Sequence, residues 1–465
     1  MKRKGFNRFI TALATAIILI FTIALVGCSP QAAVGIDKMK INADGELVVT
    51  YTDGSKANLG KIVGEDGADG AKGDKGDKGD QGLPGIKGKD GKDGLNGLDG
   101  KDGTLVITGA DASVSAAAAK GIRSAVSIVS NFTSTSKPVI GTPTVEEYAA
   151  GGSGVIYKLD RDSRSAFIIT NYHVVYDSKS DTANGISDNI EVFVYGSEYM
   201  ETAIPATYVG GSMYYDLAVL YVENSELLMG SFTDEVTVGS SDNVHLGSTA
   251  IAIGNPEGGG IAVSSGVVSV DSEYMTMYGA DDKTEVTFRV VRVDTPVNHG
   301  NSGGGLYNIN GELIGIVNAK IVDADVENIG YAIPVDLVTA VVDNILYYCY
   351  GTDCENVMKP TVGITITTAA SVGVFDTDTG NVCVRETIVV QEVVSGSPSD
   401  GNFREGDEFV SATLNGVTYG ISRRHHLIDM ILRARIGDTI EYKVIRDGVE
   451  TEVYITITES AVSPY

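Results

Sequence analysis

Three side chains in this sequence have the chemistry needed to cleave an amide bond together. His173 and Ser302 could supply a base and a nucleophile, and Asp216 lies between them in the chain. A serine hydroxyl is a weak nucleophile until a neighbouring base takes its proton, and histidine titrates near neutral pH. A buried aspartate fixes the imidazole tautomer and stabilises the imidazolium. These residue types predict acyl transfer through a covalent intermediate on Ser302.

The order of these residues along the chain indicates a fold class. His173, Asp216 and Ser302 follow one another with gaps of 43 and 86 residues. The order His, Asp, Ser is that of chymotrypsin-type β-barrel proteases, whereas subtilisins and α/β-hydrolases order the same residues differently. The glycines around the serine allow a tight turn, which can aim the Gly300 and Ser302 N–H groups at one point. Two such donors would form an oxyanion hole.

The chain around the three residues is rich in short β-branched runs separated by Gly, Asn, Asp and Ser. That pattern is typical of an all-β barrel or sandwich. The runs that predict strands are Ala125–Val129, Gly154–Tyr157, Ala166–Thr170, Ile190–Tyr195, Leu217–Val222, Thr249–Gly254, Val286–Val293, Leu313–Val317 and Gly330–Ile333. Helical spacing over Val335–Tyr348 predicts a helix that caps this domain.

The segments around the predicted triad resemble those of the HtrA (Deg) serine proteases. Family members carry T-N-x-H-V-V, D-L-A-V-L and G-N-S-G-G where this chain has Thr170–Val175, Asp216–Leu220 and Gly300–Gly304. The resemblance spans roughly residues 121–460. It implies a mainly β fold, with a chymotrypsin-like double β-barrel protease domain at residues 121–348. It also implies that His173 is the base, that Asp216 orients it and that Ser302 is the nucleophile.

Other features of the resemblance concern substrate contact. The family's specificity pocket would have Pro296 and Val297 at its floor and Asn318 and Ala319 on its wall. None of these four is acidic, which predicts small or medium apolar P1 residues and argues against Lys or Arg. Three positions depart from the family pattern without removing a catalytic group. They are Tyr172, His299 and Gly305, and they predict a reshaped oxyanion loop.

Residues 360–460 resemble a PDZ domain of the same family. Val362, Gly363 and Ile364 look like its carboxylate-binding loop, and a helix is predicted over His425–Ala434. PDZ domains add a peptide as an extra strand, and backbone N–H groups hold its C-terminal carboxylate. The resemblance therefore implies binding of C-terminal peptides along Ile364–Thr368.

A strict three-residue period precedes the protease domain. Every third residue from Gly64 to Gly103 is glycine, and Pro84 is the one proline of that tract. Only glycine fits at the axis where three polyproline-II-like chains meet. Residues 64–103 are therefore predicted to form a collagen-like triple helix, about 120 Å long at roughly 3 Å per residue. This predicts a homotrimer.

The first 27 residues read as a targeting segment. Four basic residues precede the apolar run Phe9–Val26, which is the pattern of a secretory signal. The following Leu-Val-Gly-Cys resembles the lipobox of bacterial lipoproteins, which implies lipidation of Cys28 and anchoring to the outer face of the bacterial cell membrane. A plain signal anchor is the alternative, and in both cases the rest of the chain lies outside the cytoplasm.

The remaining features set limits on the function. Sixty-one acidic against 35 basic residues give a net charge of −26, which argues against nucleic-acid binding. His425 and His426 are adjacent, but no third ligand is evident, so neither metal nor cofactor is predicted. Cys349 and Cys354 lie in a short loop, where a disulfide and free thiols are equally compatible with the sequence. The linkers are predicted at residues 28–63, with a possible β hairpin, and at 104–120 and 349–359.

Taken together, the sequence predicts an extracytoplasmic serine endopeptidase with one PDZ domain. The family resemblance implies unfolded or damaged exported proteins as substrates. Two alternatives from other classes stay open. In the first, the chain is a collagen-stalked surface scaffold or adhesin. In the second, it is a holdase chaperone. In both, the protease activity is latent.

Overall fold

The computed structural model describes residues 36–41, 46–51, 54–61, 110–136, 142–197, 202–230, 232–321, 329–377 and 380–465. The predicted signal peptide, Cys28 and the glycine-repeat tract lie outside these residues. The chain divides into two compact units, Met1–Asp99 and Gly100–Tyr465. Within the described ranges, no helix is long and apolar enough to cross a membrane.

The first unit contains a small antiparallel sheet. Its strands are β1 (Ile36–Ile41), β2 (Glu46–Tyr51) and β3 (Lys56–Lys61), with β2 in the centre. The sequence left open a hairpin or a structureless connector before the glycine repeat. The structure has strands there, and it adds β1 to the two that the apolar runs suggested.

The second unit begins with a helix where the sequence predicted a linker. Helix α1 (Ala110–Gly121) contains the alanine run, and alanine has the highest helix propensity. Ala117 is only 1% exposed and packs in one cluster with Ile253 and Tyr307. The small alanine side chains therefore let this helix lie close against the barrel beneath it.

Two six-stranded antiparallel barrels follow, which confirms the predicted double-barrel fold class. The first barrel closes in the order β4-β5-β6-β9-β8-β7, and the second closes in the order β10-β11-β12-β15-β14-β13. The strands of the first are β4 (Ala125–Thr135), β5 (Val145–Asp160), β6 (Ser165–Thr170), β7 (Asn189–Val194), β8 (Ile204–Ser212) and β9 (Leu217–Val222). The strands of the second are β10 (Thr249–Gly254), β11 (Ala262–Tyr278), β12 (Glu285–Val293), β13 (Gly305–Tyr307), β14 (Leu313–Val317) and β15 (Gly330–Pro334).

Strands β8, β11 and β13 were not among the predicted runs. Strand β8 contains Pro205, Gly210 and Gly211, and β13 is short and begins at a glycine. These residues have low intrinsic strand propensity, so the strands depend on pairing with neighbours in the closed barrel. A short helix, α2 (Tyr172–Val175), follows β6, and α3 (Val335–Tyr348) covers the barrels with the bounds that its spacing predicted.

The C-terminal part is a sheet with one helix. The sheet has the order β17-β18-β19-β21-β22, β20 pairs with β19, and β16 pairs with β23. Helix α4 (Arg424–Ile431) follows β20 and is shorter than predicted. The strands are β16 (Met358–Pro360), β17 (Ile364–Phe375), β18 (Val382–Val393), β19 (Glu408–Leu414), β20 (Val417–Gly420), β21 (Thr439–Arg446), β22 (Val449–Thr456) and β23 (Val462–Pro464).

Helix α4 is docked on the second barrel through charged side chains. Arg289 of β12 forms an ion pair with Asp429 of α4, and both side chains are less than 10% exposed. Arg423, just before the helix, pairs with Asp271 at 3.2 Å. Burial lowers the pKa of the His425 imidazole, and the positive charge of Arg289 lowers it further. His425 is therefore neutral at physiological pH.

The Arg289–Asp429 pair leads to a prediction about stability. Asp429→Leu leaves a buried guanidinium without its partner, which is expected to lower the free energy of unfolding by about 3–5 kcal/mol. Urea denaturation measures this change. Adding Arg289→Met to Asp429→Leu removes the orphaned charge and should restore most of the loss. Glu450→Ala, in an exposed pair with Lys443, is the control and should change little. An unchanged midpoint for Asp429→Leu contradicts this reading of the interface.

Candidate active site

His173 and Asp216 meet in the first barrel, as a base and its orienting group would. His173 is the second residue of α2, which follows β6, and Asp216 precedes β9, which pairs with β6. The His173 Nδ1 atom lies 2.7 Å from Asp216 Oδ2, and the His173 backbone N–H donates to Asp216 Oδ1 at 3.0 Å. Both carboxylate oxygens therefore bind the same histidine, which fixes the ring with Nε2 directed away from the carboxylate.

The backbone at Asp216 is held in an uncommon conformation. Its φ is +51°, in the left-handed region, which costs most side chains energy but is tolerated by aspartate. The Asn171 side chain donates to the Asp216 carbonyl at 2.8 Å and secures this turn. Strained residues of this kind cluster at functional sites because the surrounding structure maintains them.

Asn318 is the residue whose position differs most from the prediction. The resemblance assigned it to the wall of the specificity pocket. In the structure its side chain is fully buried, and Nδ2 donates to Asp216 Oδ2 at 2.8 Å. The Asn318 Oδ1 atom accepts from the Lys320 N–H at 3.2 Å, so the whole amide is engaged. Asn318 therefore positions the carboxylate and does not line a pocket.

Ser302 is at the turn that leads into β13 of the second barrel. Its side chain is 5% exposed, and Oγ accepts a hydrogen bond from the Ala319 N–H at 3.3 Å. No hydrogen bond joins Ser302 Oγ to His173 among the described residues. The hydroxyl proton of Ser302 is thus not engaged with Ala319, and it remains available to a base.

The backbone around Ser302 is anchored by Ser153, which the sequence analysis did not single out as a site residue. Ser153 Oγ donates to the Gly300 carbonyl at 2.7 Å and accepts from the Asn255 N–H at 2.7 Å. The Ser153 N–H donates to the Ser302 carbonyl at 2.8 Å. The Gly-Ser-Gly sequence of β5 could have indicated this role of Ser153, because a buried serine between glycines needs a polar partner.

These anchors leave two backbone donors unused at the predicted oxyanion hole. Neither the Gly300 N–H nor the Ser302 N–H donates to any of the residues that the structure describes. Gly300 has a φ of +93° and Gly303 a φ of +83°, so the turn requires glycine at both positions. A Cβ atom on Gly303 would lie 2.2 Å from the Ser153 carbonyl oxygen. The turn is therefore built to leave two N–H groups free beside Ser302.

The family comparisons agree with this geometry. Residues 152–316 match the trypsin-like peptidase domain family, residues 360–457 match the PDZ domain family, and residues 52–112 match the collagen triple helix repeat. The serine protease Do-like HtrA of Bacillus subtilis is 30% identical over 314 residues, which is 65% of this chain. Over its peptidase and PDZ regions, the chain is similar to HtrA-type serine proteases. The match spans 62% of the Bacillus subtilis protein.

Other HtrA proteins show the same similarity. The serine protease Do-like HtrA of Lactococcus lactis subsp. cremoris is 28% identical over 324 residues, covering 68% of this chain and 72% of the relative. A solved structure of the HtrA-type protease AlgW with a decapeptide covers 76% of this chain and 99% of its own. Its sequence identity is 22% and its TM-score is 0.46.

The departures from the HtrA pattern have different structural consequences. Tyr172 is 7% exposed and packs on Tyr176 inside the first barrel, with ring centroids 5.2 Å apart. It therefore does not touch the turn at Ser302. His299 is exposed beside Gly300, and Gly305 starts β13 close to the Tyr307 ring. These two departures are the ones that lie next to the predicted nucleophile.

The other predicted pocket residues lie in the second barrel or beside it. Val297 is 7% exposed and Ala319 is 2% exposed, and both belong to the apolar cluster of the second barrel. The carbonyl of Pro296 accepts from Ser264 Oγ at 2.8 Å.

The predicted carboxylate-binding loop leads into a strand with one unpaired edge. Gly363 has a φ of +81°, and its carbonyl accepts from the Val394 N–H at 2.9 Å. The N–H groups of Val362 and Gly363 have no acceptor within the described chain. Strand β17 pairs with β18 on one side, and no described strand pairs with its other edge. This edge is where a peptide could be added.

The thiols of Cys349 and Cys354 are free in the structure. Both Sγ atoms lie near the Asn356 carbonyl, at 3.3 and 3.2 Å. Burial raises the pKa of the Cys349 thiol, and its contact with Cys354 raises it further. Of the two alternatives left by the sequence, the structure contains the dithiol form.

Asn318 offers a test of the observed contact. Asn318→Ala removes a hydrogen bond to a charged carboxylate, an interaction of about 1.5–3 kcal/mol, so kcat for peptide hydrolysis should fall about 10- to 100-fold. KM should stay nearly unchanged, because the side chain does not face substrate. Asn310→Ala, at an exposed turn, is the control and should hydrolyse peptide at the parent rate. A large rise in KM at an unchanged kcat would instead indicate that Asn318 lines the specificity pocket.

Proposed function

We propose that this protein is a serine endopeptidase whose acyl-enzyme forms on Ser302. The observation that carries the proposal is the combination of a carboxylate-held His173 with two unused N–H donors beside Ser302. In the proposed reaction, His173 Nε2 takes the Ser302 hydroxyl proton while Oγ attacks the peptide carbonyl. The Gly300 and Ser302 N–H groups then bind the oxyanion.

The second half of the reaction uses the same groups. The protonated His173 donates its proton to the leaving amine, and the acyl-enzyme remains on Ser302 Oγ. A water molecule, deprotonated by His173, then attacks the ester and releases the carboxylic product. Asp216 stays ionised and stabilises the imidazolium through both steps.

The proposed substrates are unfolded or damaged exported proteins. Val297 and Ala319 favour small or medium apolar P1 side chains because no charged side chain among these residues could pair with Lys or Arg. Extended chains fit both proposed sites, since a protease cleft and an open β-strand edge bind peptides as strands. A folded protein offers few segments that can enter either site.

Casein cleavage tests this function. The purified chain should cleave casein and leave a folded control protein of similar size intact. A fluorophosphonate should block cleavage and label one tryptic peptide, the one that contains Ser302. If the folded protein binds casein without cleaving or reacting with the fluorophosphonate, the holdase or scaffold alternative replaces the protease.

Peptide binding by the PDZ domain is a separate proposal with its own test. Gly363→Ala would place a Cβ atom 2.0 Å from Ser397 Cβ at a φ of +81°. Binding of a C-terminal peptide, measured by fluorescence anisotropy, should weaken at least about tenfold, since 1.4 kcal/mol already corresponds to that factor. Gly373→Ala is the matched control, because its Cβ would meet nothing within 4 Å. Equal affinities for both variants contradict the proposed groove.

We also propose that the protein is a lipid-anchored trimer outside the cytoplasm. The glycine period supports the trimer, and the lipobox-like segment ending at Cys28 supports the anchor. Light scattering of the chain from residue 29 onward should give three times the chain mass. Incorporation of labelled palmitate in a bacterial host should be lost in Cys28→Ala. A monomeric mass, or labelling that survives the substitution, overturns the respective part of this proposal.

A further inference from the structure

Two adjacent histidines and an aspartate from a distant part of the chain meet beside helix α4. Asp242 lies in a 3-10 turn of the protease domain, Ser241–Asn243, and His425 and His426 lie in the first turn of α4. One possible ligand atom from each of the three residues lies within 4.8 Å of the others. His426 Nε2 is 3.2 Å from Asp242 Oδ1. The third ligand, which was not evident in the sequence, is therefore Asp242, 183 residues before His425.

We propose that Asp242, His425 and His426 bind a zinc ion that joins the protease and PDZ domains. Two imidazoles and one carboxylate are a ligand set that suits zinc. Zinc–ligand bonds of about 2.0–2.2 Å place tetrahedral ligands roughly 3.3–3.6 Å apart. Small side-chain movements would bring the three residues to that spacing from the one observed.

The surroundings leave room for the ion and its fourth ligand. The three residues line a cavity of about 530 Å³ between the second barrel and the C-terminal sheet, and Cys383 lines it too. The fourth position is open to water from this cavity. Arg289, Arg385 and Arg423 also line it, and two of the three are paired with carboxylates: Arg289 with Asp429, and Arg423 with Asp271.

The contacts of both His426 ring nitrogens must change when zinc binds. The Ser422 N–H donates to His426 Nδ1 at 3.3 Å, which leaves the ring proton on Nε2 facing Asp242. Zinc on Nε2 requires this proton to move to Nδ1. The half-buried Ser422 N–H then loses its acceptor, which water can replace. This exchange moves one proton within the ring and needs no other reactant.

Zinc binding by the full-length chain tests the proposal. After chelator treatment and gel filtration with ZnCl₂, elemental analysis should find one zinc per chain, and cobalt(II) should give the visible absorption of a tetrahedral site. Loss of a residue that only hydrogen-bonds to a metal ligand weakens metal binding about 10- to 100-fold. Asp242→Asn and His426→Gln remove ligands themselves, so each should weaken zinc binding by more than that. Asp242 is largely exposed, so its variant should fold like the parent by circular dichroism.

Two control variants separate this site from other histidines. His299→Gln changes an exposed histidine elsewhere, and His173→Gln removes the imidazole of the predicted triad. Both should keep one zinc per chain. The proposal is overturned if the parent chain retains no zinc, or if zinc is lost in His173→Gln and kept in His426→Gln. Because binding is measured directly, failure here leaves the proposed protease activity untouched.

Discussion

Ser302→Ala is expected to lower the rate of peptide hydrolysis by about 10⁶-fold, because it removes the only atom that can form the acyl-enzyme. Free Gly300 and Ser302 N–H groups remain in the variant, so a small residual rate above that of water is expected from the oxyanion hole. The hydroxyl makes one contact within the described chain, the 3.3 Å hydrogen bond from the Ala319 N–H. Little stability should therefore be lost.

The measurement is initial-rate hydrolysis of casein or an apolar peptide ester by parent and variant at equal concentration. Thermal unfolding should give nearly the same midpoint for both proteins. Ser115→Ala, which changes an exposed serine of α1, is the matched control and should retain the parent rate. A rate for Ser302→Ala within 100-fold of the parent would show that another group is the nucleophile.

Asp216→Asn is expected to lower kcat by about 10⁴-fold with little change in KM. In the parent, both carboxylate oxygens of Asp216 accept hydrogen bonds. Oδ1 accepts from the His173 backbone N–H, and Oδ2 accepts from the Asn318 side chain and lies beside His173 Nδ1. An amide has only one accepting atom. If its NH₂ group faces Nδ1, the ring proton moves to Nε2, and His173 can no longer take the Ser302 proton.

The measurement separates kcat from KM on a peptide substrate, with folding followed by circular dichroism. Asp353→Asn, at an exposed position, is the control for the loss of one negative charge. A fall in affinity at an unchanged kcat would mean that Asp216 contacts substrate and does not orient the base. Comparing the fall in kcat with that of Asn318→Ala then ranks the two side chains: Asp216, which holds the His173 ring, and Asn318, which holds the Asp216 carboxylate.

Local patterns in the sequence were sufficient for the fold class, and they predicted three central residues, of which the structure joins His173 and Asp216. Strands β9 and β14 and helix α3 have the bounds that their apolar residues predicted, because most of their residues are buried. The order of the predicted triad and the short β-branched runs indicated a β-barrel protease, and the resemblance to HtrA proteases implied the double barrel. The matches to trypsin-like peptidase and PDZ families confirm that part of the interpretation.

Elements with weak local signals were missed. Helix α1 was predicted as a linker, since its alanines are equally common in connectors, and its burial on Ile253 and Tyr307 is visible only in the folded chain. Strands β8 and β13 contain glycine or proline and depend on barrel closure for partners. Their hydrogen bonds come from neighbours that their own residues do not indicate.

The sequence by itself determined which chemistry is available: a base, a carboxylate, a nucleophile in a glycine turn, and a three-residue glycine period. Tertiary structure alone decided how those groups are supported. Asn318 reaches Asp216 across 102 positions, Ser153 reaches Gly300 across 147, and Asp242 reaches His426 across 184. Contacts between such distant residues leave no periodic pattern, because they depend on how closed barrels and a docked helix bring separate loops together.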